Sequence, residues 1–103
     1  MATTITGDPP YLTKGVSPSA ATATKITVPT WARRVTIHAN GAAVKVSHTG
    51  TDGVALGSDY ETIPDGTTGE IPLAVGSEKR VTAFSFYVQA ASGTPRAEIG
   101  VGL

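Results

Sequence analysis

The chain has 103 residues, enough for one domain but too few to build two separate hydrophobic cores. Its eight Lys and Arg side chains balance eight Asp and Glu side chains, which argues against nucleic acid as a partner, because nucleic-acid-binding domains display a basic surface. The absence of cysteine excludes disulfides, thiolate metal sites and a cysteine nucleophile.

The composition favours strands over helices. The chain contains 16 Thr and 14 Ala residues but only one Met, and its straight-chain helix formers are few, whereas Thr and Val suit a pleated surface. No apolar run approaches the roughly 18 residues of a membrane-spanning helix. The first residues also lack the basic and apolar regions of a signal peptide. We therefore expect no signal peptide and no membrane as a partner.

Residues 1–20 are interrupted by glycine and proline too often for a continuous element. We predict that this segment is an N-terminal arm outside the domain. Tyr11 and Leu12, in its middle, are expected to hold the arm against the domain or against a partner. A partly ordered tail is the alternative.

Three strands are predicted in the next part of the chain. Polar and apolar residues alternate in Thr24–Val28 and in Arg34–Ala39, the pattern of a half-buried strand. The residues expected to point inward are Ile26, Val28, Val35, Ile37 and Ala39. Asn40-Gly41 favours a tight turn, because both residues accept positive φ, so Ala43–Ser47 is predicted to return as the second strand of a hairpin.

A polar, glycine-rich stretch then predicts a surface loop over residues 49–59, with Val54 and Leu56 as its only anchors. The short segment Tyr60–Ile63 is predicted to be a strand. Pro64-Asp65-Gly66 follows it and suits a type I or II turn.

Three more strands are predicted towards the C-terminus. Gly69–Leu73 contains a proline, which removes a backbone donor and so indicates an edge strand. Arg80–Gln89 has apolar residues on both faces and is expected near the centre of a sheet. Ala97–Leu103 alternates apolar residues with Glu and Gly.

Short strands separated by turns, without a helical pattern between them, predict an all-β fold. We expect an antiparallel β-sandwich, jelly-roll-like, with about seven or eight strands. In this interpretation residues 1–20 form the arm and residues 21–103 form a single sandwich domain.

Few residues suggest chemistry. His38 and His48 lack the third ligand that a metal site needs, and they are expected to be solvated or locally hydrogen-bonded. Ser47, His38 and Asp59 can be written as a triad, but no nucleophile elbow supports it. Asp59 and Glu61 are neighbours on one segment, whereas glycoside cleavage needs carboxylates that face each other across a groove. We therefore expect that this protein is not an enzyme.

Three aspartates lie in loops and raise the question of calcium. Asp52, Asp59 and Asp65 do not have the spacing of a calcium-binding loop, and Asp-Gly pairs are first of all turn signals. We therefore expect no metal and no cofactor.

The segment between the first two predicted strands contains the only tryptophan, Trp31, followed by Arg33 and Arg34. Trp and Arg are over-represented at interface hot spots. Two interpretations stay open: these residues contact a partner, or Trp31 covers one end of its own sandwich. Together with Tyr11 and Leu12, they are the predicted interface residues.

The order of these features resembles that of a known class of proteins. A Thr/Ala-rich arm precedes Ile26–Pro29 and Arg34–Ile37, a Gly/Asp loop follows, and Ile71–Leu73 comes before a long aromatic strand. This pattern is similar to small virion proteins of tailed bacteriophages, especially capsid decoration proteins with a β-sandwich or jelly-roll fold. The resemblance covers roughly residues 22–103.

The resemblance implies a structural protein that self-associates, with a trimer favoured, and binds the major capsid protein or another shell protein. Its location would be the outer surface of a phage head, after assembly in the host cytoplasm. It supplies no catalytic residues. The alternatives are a carbohydrate- or receptor-binding sandwich module and a tail or connector component of a phage. Sugar binding would need exposed aromatic platforms, for which the candidates are Tyr11, Trp31, Tyr60 and Tyr87.

Overall fold

The computed structural model describes residues 2–71 and 84–103, which form nine strands and no helix. In chain order the strands are β1 (Thr3–Thr4), β2 (Tyr11–Val16), β3 (Thr24–Val28), β4 (Arg34–Asn40), β5 (Val44–Ser47), β6 (Glu61–Ile63), β7 (Thr68–Ile71), β8 (Phe84–Ala90) and β9 (Arg96–Gly102). They lie in two sheets, ordered β1-β3-β8-β5-β6 and β2-β9-β4-β7. The predicted all-β sandwich is confirmed.

The eight strands β2 to β9 pair as in one long hairpin that is rolled into two layers. Strands β5 and β6 form its tip, and outward from them β4 pairs with β7, β3 with β8 and β2 with β9, all antiparallel. The roll closes because β9 also pairs with β4 and β8 also pairs with β5. This arrangement of eight antiparallel strands in two sheets is a jelly roll. The two-residue β1 adds a short parallel edge beside β3.

The core lies between the two sheets and follows the alternation of the strands. Ile26, Ile37 and Ile99 are fully buried, together with Phe86 in the middle of the larger sheet. The inward residues predicted for Thr24–Val28 and Arg34–Ala39 are all buried, so those predictions are confirmed. Burying these side chains supplies the main driving force for packing the two layers.

The predicted hairpin at Asn40-Gly41 is wrong. Strand β4 belongs to one sheet and β5 to the other, so the turn crosses between the layers instead of joining paired neighbours. Gly41 has φ of 101°, but no residue other than glycine has positive φ in the described ranges, so Asn40 does not enter a type I′ turn. The Gly41 amide instead donates to Asp65 Oδ1 at 2.8 Å.

The segment 1–20 also differs from its prediction. Residues 11–16 form a continuous strand, β2, which pairs along its whole length with β9 and is the first strand of the rolled hairpin. The expectation of no continuous element is therefore wrong for these residues. Lys14 lies on the inward side of this edge strand and is exposed at its rim. An inward-pointing charge on an edge strand discourages pairing with a further strand.

The remaining strand predictions agree with the structure over the described residues. Strand β7 is at an edge, as predicted for Gly69–Leu73, and β8 is central, as predicted for Arg80–Gln89. Residues 72–73 and 80–83 of those predictions lie outside the described ranges. The Thr67 amide donates to Pro64 O at 3.1 Å and Gly66 has φ of 80°, which fits the predicted turn in its type II form.

Candidate interaction surfaces

The chain's own 49–59 loop covers part of the outer face of the β1-β3-β8-β5-β6 sheet. Gln89 is only 5% exposed, and its side chain holds two segments against the sheet. Its Oε1 accepts from the Leu56 amide at 2.7 Å, and its Nε2 donates to Ala20 O at 2.9 Å. A methyl group added at Gly50 would lie 3.2 Å from the Tyr87 ring and 3.3 Å from Leu56 Cδ2, so the loop packs beside Tyr87. Tyr87 is half-buried and offers a less open ring than Tyr11.

Backbone groups and one carboxylate fix the other side of this loop. Gly53 and Val54 bond to the backbone of Ala23, whereas the Val54 side chain is 54% exposed and does not anchor the loop as predicted. The Lys25 amide donates to Asp52 Oδ1 at 3.0 Å and holds the pKa of this carboxyl below its ordinary value. The loop is thus part of the folded unit and occupies one face of the sandwich.

The outer face of the β2-β9-β4-β7 sheet, here called the open face, presents its side chains to solvent. Outward residues on all four of its strands are exposed: Tyr11, Thr13, Arg34, Thr68, Glu70 and Arg96. Two exposed ion pairs lie on it, Arg34–Glu70 at 3.5 Å and Arg96–Glu98 at 3.7 Å. Exposed pairs of this kind add little stability, so the open face is polar without being rigidly held by charge.

A groove of about 410 Å³, here called the Tyr11 groove, crosses one end of the open face. In the strand register Tyr11 and Arg34 flank Gly102, and Thr13 and Thr36 flank Gly100. A methyl group added at Gly100 would overlap the Tyr11 hydroxyl, and one at Gly102 would lie 3.4 Å from the Tyr11 ring. The ring therefore lies across the two glycines, yet Tyr11 as a whole is 61% exposed.

A second groove of about 280 Å³ runs between the edge strands β6 and β7 and is here called the edge cleft. Its walls include the core side chains Ile63 and Ile71, and its charged residues are Glu61 and Glu70. No Lys, Arg or His is among the described residues that line it. The edge cleft therefore combines apolar walls with negative charge.

The structure divides the predicted interface residues. Tyr11 and Arg34 line the Tyr11 groove together, whereas Leu12 points inward and packs against the core. Trp31 also packs on the core, and its Nε1 donates to Gly7 O at 3.0 Å, which favours the interpretation that it covers one end of the sandwich. Arg33 is exposed at the start of β4. A role of these residues in partner binding stays a prediction.

Two groups missed by the sequence interpretation are Gly100 and Gly102. Glu and Gly form the polar half of the alternating pattern in Ala97–Leu103, but glycine at alternate positions of a central strand marks a place where another group approaches the backbone closely. That signal was visible in the sequence. The partnership with Tyr11 was not, because it depends on the pairing of β2 with β9.

The triad considered from the sequence is not assembled. His38 is on the open face, where its Nδ1 lies 2.9 Å from Thr68 Oγ1, whereas Ser47 is in the other sheet and donates to Asp59 O at 2.8 Å. Asp52 and Asp65 each accept a backbone N–H from a distant segment. In the two described stretches, no group of three His, Cys, Asp or Glu residues could hold a metal ion.

Comparisons with protein-family models, curated proteins and solved structures found no match for this chain. Among the described residues, no helix is long and apolar enough to cross a membrane.

Proposed function

We propose that this protein is a structural component of a larger particle, which self-associates as a trimer and binds the outer surface of a protein shell. The observation that carries the proposal is a pair of complementary features on one chain: the acidic edge cleft, where Glu61 lies near Glu70 of the Arg34 ion pair, and the exposed Arg33 before β4. Arg33 of one copy enters the edge cleft of the next.

Charge and area support association of this kind. The chain has zero formal net charge and only 16% charged residues, so copies repel one another weakly. A domain of this size also buries a smaller fraction of its surface than a larger one and gains more from being covered. Contact between two different patches is heterologous, and such contacts form a ring, here a trimer, when the rotation from one copy to the next closes.

The nature of the shell comes from the sequence resemblance to capsid decoration proteins of tailed bacteriophages. On that basis the partner is the major capsid protein or another virion shell protein, the site is the outside of a phage head, and assembly occurs in the host cytoplasm. The role is structural, with no catalysis, no nucleic acid and no membrane. The jelly-roll fold is compatible with this role, since viral capsid domains use it, but lectins and cupins use it as well.

A charge-reversal pair tests the trimer. Wild-type protein is expected to scatter light as three times the chain mass of 10.5 kDa, and Arg33→Glu and Glu61→Arg are each expected to give the monomer mass. Combining both changes restores the opposite charges across the contact and is expected to restore the trimer. Lys14→Glu, a reversal at an exposed position outside the edge cleft, is the control and should leave the trimer intact.

A monomeric wild type, or a double variant no better associated than either single variant, would contradict the trimer. Shell binding is tested separately, by electron microscopy of phage particles that carry a labelled copy of this chain. Label on the outside of the head is expected. Label on the tail or at the head–tail connector would replace the decoration role with one of those.

A further inference from the structure

We propose that the Tyr11 groove binds a neutral pyranose sugar, which stacks on the exposed side of the Tyr11 ring and bonds to the Arg34 guanidinium and the Thr36 hydroxyl. This function goes beyond the structural role and does not depend on it. The groove is lined by residues of β2, β9 and β4, whereas the proposed trimer contact joins the cleft between β6 and β7 to Arg33, next to β4. Because the Arg33 amide donates to Gly102 O at 2.8 Å, sugar binding is tested in the Arg33→Glu variant as well as in wild type.

The two glycines beneath Tyr11 are the first argument. Gly100 and Gly102 occupy alternate positions of β9, a strand paired on both sides, where glycine weakens a sheet. Both are buried although they belong to the outward side of the strand, because the Tyr11 ring lies over them. The arrangement holds one side of the ring against the backbone and leaves the other side to solvent. This is an aromatic platform with a fixed orientation.

The polar groups beside the platform are the second argument. Arg34 lies across Gly102 from Tyr11, and Thr36 lies in the next row, so donors and an acceptor for sugar hydroxyls flank the exposed ring. The groove volume of about 410 Å³ is in the range of small-molecule sites. A pyranose presents C–H groups on one face and hydroxyls around its rim, which matches a π-face bordered by hydrogen-bonding groups.

Charge favours a neutral sugar over an anionic ligand or nucleic acid. Arg34 is the only Lys, Arg, Asp or Glu side chain among the described residues that line the groove, and it is already 3.5 Å from a Glu70 carboxylate oxygen. It can donate hydrogen bonds, and the nearby Glu70 carboxylate partly offsets its charge. Single-stranded nucleic acid would need a positively charged track beside the aromatic ring. On the open face, the positive charges of Arg34 and Arg96 are instead each paired with a glutamate.

Chemical-shift mapping of the ¹⁵N-labelled full chain tests the site. The probes are cellotriose, mannotriose, maltotriose and triacetylchitotriose, all neutral and added separately. At least one is expected to shift the amide resonances of Gly100 and Gly102 in a saturable manner, with the weak affinity of a shallow site. Tyr11→Ala is expected to lower that affinity about tenfold. Tyr60→Ala, which removes another exposed tyrosine outside the groove, should leave the affinity unchanged.

Two further variants separate stacking from folding. Tyr11→Phe keeps the ring and is expected to bind nearly as well as wild type, whereas Gly100→Ala displaces the ring and is expected to bind more weakly while its spectrum stays that of a folded protein. Absence of localised shifts with every probe would overturn the proposal. So would equal binding by Tyr11→Ala. Shifts of the same two glycines on raising the concentration of the Arg33→Glu variant without sugar would identify a self-contact other than the proposed trimer and would also overturn it.

Failure of the sugar site and failure of the trimer are distinguishable. The sugar titration is read at Gly100 and Gly102, and the trimer is read by mass with the Arg33 and Glu61 variants. Either result can be negative while the other is positive.

Discussion

Gln89→Ala should release the 49–59 loop from the sheet that it covers. The side chain is 5% exposed and forms two hydrogen bonds, to the Leu56 amide at 2.7 Å and to Ala20 O at 2.9 Å. Each bond contributes about 1 kcal/mol net, and a buried group left without a partner costs about 1–3 kcal/mol. The loop can move so that its freed groups reach water, so we expect a loss of about 2–3 kcal/mol.

A loss of that size is a large part of the roughly 5–15 kcal/mol by which small domains are stable. Urea unfolding measures it directly, and the melting temperature should fall by roughly 10–20 °C. Hydrogen exchange gives the local signature, because the Leu56 amide loses its acceptor and should exchange much faster. Thr62→Ala, at an exposed position of the edge strand β6, is the control and should change stability by less than about 0.5 kcal/mol.

The reasoning about the covered face would be refuted by a Gln89→Ala variant with wild-type stability and unchanged Leu56 exchange. Such a result would mean that the loop is held by its backbone contacts alone. The Gln89 side chain would then contribute nothing to holding the loop over Tyr87.

Three further predictions concern the core, a loop carboxylate and the open face. Phe86→Ala, which empties a fully buried site, should cost about 3–5 kcal/mol in urea unfolding. The Lys25 amide lowers the pKa of Asp52 in the folded protein, so the contribution of Asp52 to stability is present above the unfolded pKa of about 3.9 and is lost as the pH falls through the folded pKa. Asp52→Asn should remove this part of the acid dependence of stability. Hydrogen exchange of the Lys25 amide at a series of pH values measures it. Arg34→Ala breaks only an exposed ion pair with Glu70, and urea unfolding should change by less than about 0.5 kcal/mol.

The sequence was sufficient to predict which residues face the core, because alternation depends only on the pleat of each strand. Ile26, Val35 and Ile37 were assigned correctly for this reason. Alternation does not say which strand lies alongside, however. Strands β4 and β5 belong to opposite sheets and point their apolar residues towards each other. A hairpin across Asn40-Gly41 would show the same alternation in both strands, so the local pattern cannot distinguish the two arrangements.

Strand β2 was missed because two local signals were misleading. Lys14 and Gly15 interrupt the apolar pattern. Lys14 is tolerated because the inward side of an edge strand reaches solvent at the rim of the sandwich. Gly15 is required because the Arg96 side chain lies against its backbone. The prolines before it suggested an arm. Its pairing with β9 joins segments more than 80 residues apart in the chain, which local patterns do not report.

The candidate sites were predictable only in part. Tyr11 and Arg34 were named from residue type, but their meeting across Gly102 depends on two separate strand pairings. The edge cleft depends likewise on the closeness of β6 and β7, which belong to different sheets. Residue type therefore suggested the participants, and topology decided which of them share a surface.

The difference between the two faces of the sandwich can be measured most directly by ¹⁹F NMR of protein labelled with 3-fluorotyrosine. The chain has three tyrosines: Tyr11 on the open face, Tyr60 before β6, and Tyr87 beneath the 49–59 loop. A soluble paramagnetic agent should broaden the Tyr11 resonance most and the Tyr87 resonance least. Equal broadening of Tyr11 and Tyr87 would contradict the account, because the loop would then not cover its sheet and the Tyr11 groove would have no special exposure.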